Sequence, residues 1–340
     1  MSPVSTGTWR IRAGAKINLT LGVLGLRPDG YHELRTTFQS LAMHDTLTFE
    51  RVRGAFVIAS DAATCPTDAS NLVWKAADAL WRATGKRGAL SGVRVDIKKR
   101  IPIEAGLGGG SSDAAATLVA LRAMWRARVS DADLADIGRT LGADVPFFLE
   151  GGTVLGLERG DLLFPLLDAP PAWVVIARPD FGVSTKDAYA WWDQTRDMPS
   201  PIARDDDAAM LRPGRRGSRA PRAAGQPAVP GRGAHGAARG LGVSSRSVSP
   251  FAARGPVNDL QAPVCARHPK ISSIINELER SCARQAAMSG SGSAVFGLFE
   301  SRRAALDASA RLNDQNTACW VTRTTTRAQH LRSFTPQRIV

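Results

Sequence analysis

Pro102-Ile103-Glu104-Ala105-Gly106-Leu107-Gly108-Gly109-Gly110-Ser111-Ser112-Asp113-Ala114-Ala115-Ala116 is the stretch on which the reading of this chain turns. Before it, Val93, Val95 and Ile97 alternate with Arg94, Asp96 and Lys98, the period of a half-buried strand. After it, an apolar run predicts a helix over 112–126. Between them, the glycines let the backbone take positive φ and approach a ligand closely. The free N–H groups and dipole of a helix start favour anions, and a polyphosphate is the natural guest. Ser111 and Ser112 are placed to cap the helix, bond phosphate oxygens or help a magnesium ion. No Lys-Ser/Thr follows the last glycine, so this is not a Walker A loop. No glycine stands at 111, so it is not the G-x-G-x-x-G dinucleotide pattern either. The bland alternative is a flexible turn with a capped helix.

Outward from this loop, the chain reads as strands and helices in mixed order, which is α+β and not a steady βαβ repeat. Strands are expected over 9–26, 45–60, 93–98, 153–157, 173–177, 293–299 and, at a sheet edge, 318–323. Helices are expected over 71–84, 130–141, 258–266, 271–282 and 302–312, the second opened by a Ser130/Asp133 capping box. No internal repeat is visible.

Composition narrows the class. The 340 residues are 44% apolar and 22% charged, an ordinary soluble balance that excludes collagen, coiled coil and wholesale disorder. No uncharged apolar run reaches the roughly 18 residues of a membrane helix. Residues 1–12 lack the basic-then-apolar pattern of a secretory signal. Cys65, Cys265, Cys282 and Cys319 show no metal-type spacing and suit reduced thiols in a cytoplasm.

The net charge of +13 suggests nucleic acid or an anionic surface at first sight. It is concentrated. Residues 212–256 hold nine arginines and no Lys, Asp or Glu, so the rest of the chain carries only +4. In that segment 33 of 45 residues are Gly, Ala, Pro or Arg, which cannot form an ordinary core. It reads as a solvated linker, as out-of-frame translation of a GC-rich gene, or as an RNA-binding tail. The last is disfavoured by the lack of interleaved aromatics.

Four further motifs carry chemistry. Gly14-Ala15-Lys16-Ile17-Asn18-Leu19 puts a lysine in apolar company, and phosphoryl transfer needs a cation near the transferring oxygens. Alone, Lys16 is a solvated strand residue. Arg27-Pro28-Asp29-Gly30-Tyr31-His32-Glu33-Leu34 reads as a turn with an aromatic beside an imidazole, and alone His32 is structural. Gly142-Ala143-Asp144-Val145-Pro146 sets a carboxylate on a rigid turn, and alone Asp144 is a turn-former. Met288-Ser289-Gly290-Ser291-Gly292-Ser293 is a second glycine-rich turn entering a strand.

In combination and in this order, the motifs resemble the GHMP kinase superfamily of galactose, homoserine, mevalonate and phosphomevalonate kinases. The resemblance covers roughly 9–201 and 257–321. Within the superfamily, the Ala-Lys-Ile-Asn-Leu, Tyr-His and Gly-Ala-Asp-Val-Pro motifs look most like the branch that phosphorylates a cytidine diphosphate ester of methylerythritol in the non-mevalonate isoprenoid pathway. The resemblance implies a two-domain GHMP kinase fold. Residues 1–165 would be a ribosomal-protein-S5-like N-terminal domain. Residues 166–340 would be a ferredoxin-like α+β domain interrupted by 212–256, with the site between them.

It implies transfer from ATP, with Mg2+, to the 2-hydroxyl of the ester. Asp144 matches the family's catalytic aspartate and Lys16 the lysine that pairs with it. Pro102, Ile103, Glu104, Ala105, Gly106, Leu107, Gly108, Gly109, Gly110, Ser111 and Ser112 match the ATP-phosphate loop. Tyr31, His32 and Tyr189 match positions that clasp the cytosine, and Asn18 matches a polar neighbour of the catalytic pair. Asn71 falls on the adenine side. No protein side chains are assigned to a metal. The expected partner is a small molecule, with no nucleic acid and no membrane, and the chain would be a cytoplasmic monomer or weak homodimer. Gly14 replaces a common proline, Ser289 replaces a common threonine, and 212–256 matches nothing in the family. The rival readings are another GHMP small-molecule kinase, of homoserine or mevalonate type, and a nucleic-acid-binding protein.

Overall fold

The computed structural model describes residues 7–196, 258–315 and 317–339. The Arg/Gly/Pro/Ala-rich segment 212–256 lies outside the described residues. The described residues up to 195 and from 258 onward cluster as one compact unit.

The elements run in the order β1 (Thr8–Leu26), β2 (His32–Ala55), β3 (Val57–Ser60), α1 (Leu72–Ala83), β4 (Ser91–Lys98), α2 (Gly109–Trp125), α3 (Asp131–Leu141), α4 (Val145–Glu150), β5 (Thr153–Glu158), β6 (Leu162–Pro165), β7 (Trp173–Arg178), α5 (Thr185–Arg196), α6 (Gln261–Arg267), α7 (Pro269–Arg280), β8 (Gln285–Met288), β9 (Val295–Phe299), α8 (Arg302–Asp314), β10 (Ala318–Arg323), α9 (Arg327–Ser333) and β11 (Gln337–Ile339). A seven-stranded sheet runs β11-β1-β2-β4-β3, with β5 paired to β2 and β6 paired to β5. A four-stranded antiparallel sheet runs β10-β7-β9-β8. Strands up to Pro165 belong to the first sheet and those from Trp173 to the second, except that β11 returns to pair with β1. Among the described residues no helix is long and apolar enough to cross a membrane.

The β1–β2 hairpin organises the rest. Along β1, successive side chains alternate between faces. Ile11 and Ala13 enter a core beneath α1 and α2. Ala15, Ile17 and Leu19 pack with Val174, Ile176 and Phe296 of the second sheet. Leu21 and Val23 reach a third core shared with α5, α6, α7 and α8. Lys16 and Asn18 fall on the opposite parity, and register shifts at Gly14/Lys16 and Asn18/Thr20 bracket them. Such irregularities bend a strand and re-aim its side chains.

Several expected boundaries move. The strand expected from 45 begins at His32, because 32–44 pairs with both β1 and β5. The helix expected from 112 begins at Gly109. Gly108, at φ 71°, occupies its N-cap position, so neither Ser111 nor Ser112 caps it. The rigid turn after Gly142 leads directly into the short helix α4, with Pro146 in its first turn, where a missing N–H costs nothing. The helix expected from 258 starts at Gln261, and Asn258 instead bridges to Leu21. The Ser130/Asp133 capping box forms as expected.

Candidate active site

Lys16 is buried, at 3% exposure, which corrects the stand-alone reading of a solvated strand residue. Its ammonium donates to Asn18 Oδ1 at 2.7 Å and lies 3.3 Å from Asp144 Oδ2. The face of Phe38 covers it, with 5.4 Å from Nζ to the ring centre. Asn18 Nδ2 donates to Thr36 Oγ1 at 2.7 Å, and that hydroxyl donates to the Thr20 carbonyl at 2.7 Å. This chain of hydrogen bonds fixes the amide with its oxygen toward the lysine. Asp144 occupies the N-cap position of α4 but makes no capping bond, and its carboxylate is partly open to a cavity of about 740 Å³. A strand therefore supplies the cation and the turn before α4 supplies the carboxylate.

The glycine loop is welded to the same point. Lys16 N–H donates to the Leu107 carbonyl at 3.0 Å, and Ser289 Oγ donates to the Gly106 carbonyl at 3.0 Å. Asn258 Nδ2 donates to the carbonyls of Met288 and Gly290, both at 2.8 Å, bracing the second glycine turn from below. Gly106 and Ser111 line the 740 Å³ cavity. Glu104 and Gly106 line an adjoining one of about 660 Å³, and the two share Thr185 and Ser291. Ala105 and Leu107 are core residues and contribute backbone. Gly108, Gly109 and Gly110 form the N-cap and first turn of α2. Pro102 and Ile103 form the approach to the loop and are half-buried. The Ser112 hydroxyl is fully buried with no hydrogen-bond partner.

Gly106 has φ +72°, and a Cβ there would stand 2.2 Å from the Ser289 carbonyl oxygen. Backbone on both sides leaves no room to yield. Gly106→Ala is expected to lose about 1–3 kcal/mol from the backbone conformation alone, and to weaken nucleotide binding. Urea unfolding and a nucleotide titration measure both, and a wild-type midpoint would refute the close packing.

Beneath the loop lies a second buried group. Lys99 Nζ bridges Asp45 and, at 2.8 Å, Asp113 in the first turn of α2. Asp45 also accepts the Ile101 N–H at 2.9 Å. Two carboxylates share one ammonium. Burial pushes the Asp113 carboxyl up to about 7, Lys99 opposes the shift and Asp45 adds to it. A raised folded-state value means that stability is greatest at low pH and is lost as pH rises through that value. Asp113→Asn removes the titration. The wild-type chain is expected to lose urea resistance between pH 5 and pH 8, and the Asn variant to lose less, all at one temperature. Equal losses would mean that Asp113 stays ionised throughout.

At the far end of the cavity, Tyr31 is 58% exposed, with the Arg159 guanidinium 5.2 Å from its ring centre. His32 stacks on Tyr189 at 4.6 Å and 21°, and Trp192 meets it edge-on at 5.6 Å. His32 Nε2 is 2.9 Å from Asp193 Oδ1. Burial and the nearby Asp144 charge push the Tyr189 phenol up, so it stays neutral. The cavity thus brings together Lys16, Asn18, Gly106, Ser111, Asp144, Tyr31, His32 and Tyr189 from the sequence expectation. Asn71 is not among its lining residues: it is the N-cap of α1, its oxygen accepting from Val73 N–H at 2.8 Å and its amide donating to the Pro66 carbonyl. Sequence reasoning missed Thr36, Phe38, Arg159, Asp193 and Asn258. Thr36 and Phe38 reach the site through pairing across β1–β2, Arg159 through the β5–β6 turn, Asp193 through the helix face of α5 and Asn258 through its bridge to Leu21, none of which shows as a local motif.

Known proteins resemble this chain over most of its length. The family GHMP kinases N terminal domain matches residues 71–152, and GHMP kinases C terminal matches 246–318. The second match begins inside the segment 212–256, ten residues before its end, where the resemblance had found nothing. The 4-diphosphocytidyl-2-C-methyl-D-erythritol kinase of Moorella thermoacetica is 38% identical over 92% of this chain and 97% of its own length. The enzyme of the same name from Pelotomaculum thermopropionicum is 39% identical over 92% and 96%. A crystal structure of 4-(cytidine 5'-diphospho)-2C-methyl-D-erythritol kinase superposes with TM-score 0.67 at 31% identity, covering 93% of this chain and 98% of that one. Homoserine kinase from Cytophaga hutchinsonii superposes with TM-score 0.60 at 17% identity, which shows the shared fold alone. With two family matches and relatives aligned over nine-tenths of both chains, the chain belongs to the GHMP kinase family, in the branch of the 4-diphosphocytidyl-2-C-methyl-D-erythritol kinases.

Proposed function

We propose that the chain transfers a phosphoryl group from ATP to the 2-hydroxyl of 4-diphosphocytidyl-2-C-methyl-D-erythritol, a step in isoprenoid precursor synthesis. The observation that carries this reading is one cavity with a Lys16–Asp144 pair at one end and the Tyr31, His32, Tyr189 group at the other. Phosphoryl transfer asks for little covalent chemistry and much positioning. Asp144 accepts the hydroxyl proton as the nucleophile attacks, and Lys16 holds the same oxygen and offsets its developing charge. Asn18 and Thr36 keep the lysine aimed. The loop 102–112 presents backbone N–H groups of the α2 start to the phosphates.

Among the described residues no cluster of three or more His, Cys, Asp or Glu is arranged to hold a metal. The unpartnered Ser112 hydroxyl, with Ser111 beside it, suits a hard cation that arrives on the nucleotide. Bound there, Mg2+ would neutralise phosphate charge. The aromatic end binds the cytosine. The division at residue 165 separates a half carrying the catalytic pair and phosphate loop from one carrying Tyr189 and the second glycine turn. A net charge of +4 outside 212–256 supports a small-molecule partner without nucleic acid. Four free thiols support a cytoplasmic enzyme.

Incubation of the chain with ATP, Mg2+ and the cytidine ester, homoserine or mevalonate tests the reading by mass spectrometry of the products. Phosphorylation of the ester alone is expected. Turnover of homoserine or mevalonate at a comparable rate would reassign the chain within the family.

A further inference from the structure

Asp193 has no part in the chemistry described so far, yet it meets the aromatic end of the cavity at a single point. It lies on α5 four residues after Tyr189, so the two share a helix face. Together they grip one ring: Tyr189 stacks on His32 at 4.6 Å, and Asp193 Oδ1 stands 2.9 Å from its Nε2. Trp192, between them in sequence, closes the ring in at 87°. A carboxylate only accepts, so Nε2 must carry the proton. In the neutral ring this leaves Nδ1 as a bare acceptor. Nδ1 makes no hydrogen bond among the described residues, and His32 lines the cavity.

We propose that Asp193 is a positioning residue that holds His32 in the Nε2–H tautomer, so that the bare Nδ1 selects a nucleobase edge bearing an amine and rejects one bearing a carbonyl. The inference rests on the proposed function, since it needs a nucleobase at this end of the cavity. Cytosine offers an exocyclic amine that donates to Nδ1. Uracil offers an oxygen at that place, whose lone pairs face those of the nitrogen. A site built around one hydrogen-bond polarity rejects the opposite one because a buried polar group is left unpaired. Discrimination between the two bases then depends on a carboxylate that does not touch either.

The test compares the full-length wild-type chain with Asp193→Ala and Asp193→Asn on the cytidine ester and its uridine analogue, and reads the imidazole tautomer by ¹⁵N NMR. Asp193 is half exposed, so its loss leaves the core intact. Asp193→Ala is expected to raise KM for the cytidine ester with little change in kcat, and to cut the cytidine-over-uridine ratio of kcat/KM about tenfold or more. Asp193→Asn, which keeps an accepting oxygen, is expected to restore part of that ratio. The wild-type spectrum should show a proton on Nε2 and a bare Nδ1. An unchanged ratio in Asp193→Ala, or a wild-type ring protonated on Nδ1 alone, overturns the inference. Equal use of both esters by the wild-type chain overturns it while leaving the kinase reading in place. Phosphorylation of neither ester overturns that reading itself, and the inference with it.

Discussion

Asp144→Asn is expected to lower turnover about 10²- to 10⁴-fold, the usual contribution of a general base, while nucleotide affinity stays close to wild type. The substitution keeps shape and an accepting oxygen but removes the group that takes the hydroxyl proton. Asp144 makes no capping hydrogen bond to α4, so the helix start should survive the change. Its ion pair with Lys16, at 3.3 Å, is partly open to solvent and is not the main support of the turn. The expected pattern is therefore a fall in kcat with the ATP dissociation constant and the unfolding midpoint unchanged. Steady-state kinetics beside calorimetric titration of a non-hydrolysable nucleotide separates these. Retention of more than about a tenth of turnover would be far below a general base's contribution and would remove Asp144 from that role.

Lys16→Met should cost about 10²- to 10³-fold in kcat, the range seen when one preorganised charge-stabilising group is lost. The lysine is buried with Asn18, Asp144 and Phe38 as neighbours, so its charge acts in a site with little water to screen it. Methionine fills similar volume but leaves Asn18 Oδ1 buried without its donor, a loss of about 1–3 kcal/mol, while the partly exposed Asp144 carboxylate keeps access to solvent. The chain should thus melt somewhat earlier yet stay folded at the assay temperature, so the fall in activity reports the lost charge and not unfolding. Lys16→Arg should not rescue it. A Cβ placed at Gly290 would already be 3.5 Å from Nζ, and the planar guanidinium needs more room than an ammonium. Kinetics of both variants together with thermal melts check this: near-normal turnover in Lys16→Met would place the cation elsewhere, and in Lys16→Arg would show that the site has room for the planar guanidinium.

Much of this site was legible in the chain because it is written in short contiguous motifs. Glycines at 106, 108, 109 and 110 announce a backbone that must approach something closely, and the structure has the loop packed against the Ser289 turn and Phe148. Period-2 alternation marked β1 and β4 to within a residue or two, since a strand with one buried face repeats every second residue, while β5 and β7 read as short buried strands. The boundary errors fell where local signals conflict with tertiary pairing. Gly109 and Gly110 are poor helix formers, yet they begin α2 because Gly108 turns the chain and the loop is held by Ser289 and Lys16. The segment from His32 to His44 lacks a clear alternation because β2 is covered on both faces there, with Phe38, Gln39, Ser40 and Leu41 buried in succession.

The identity and order of the chemical groups can be read along the chain: a lysine in a strand, a glycine loop before a helix, a carboxylate after a helix, and an aromatic–imidazole pair after a turn. Their roles follow from covalent neighbours and from the resemblance those motifs carry. Only the tertiary structure decided which groups meet. Lys16 reads as solvated until pairing of β1 with β2 and the seating of α4 bury it against Asp144, 128 positions away. Asn258 reads as part of a helix until it is seen to donate to both carbonyls of a turn some thirty residues on. Asp193 belongs to no motif, and only the packing of α5 sets it beside His32, 161 positions earlier. The physical reason is one of range. Propensity and periodicity act over a few residues, whereas burial, ion pairing and hydrogen-bond satisfaction are settled by whatever the folded chain brings within about 3 Å.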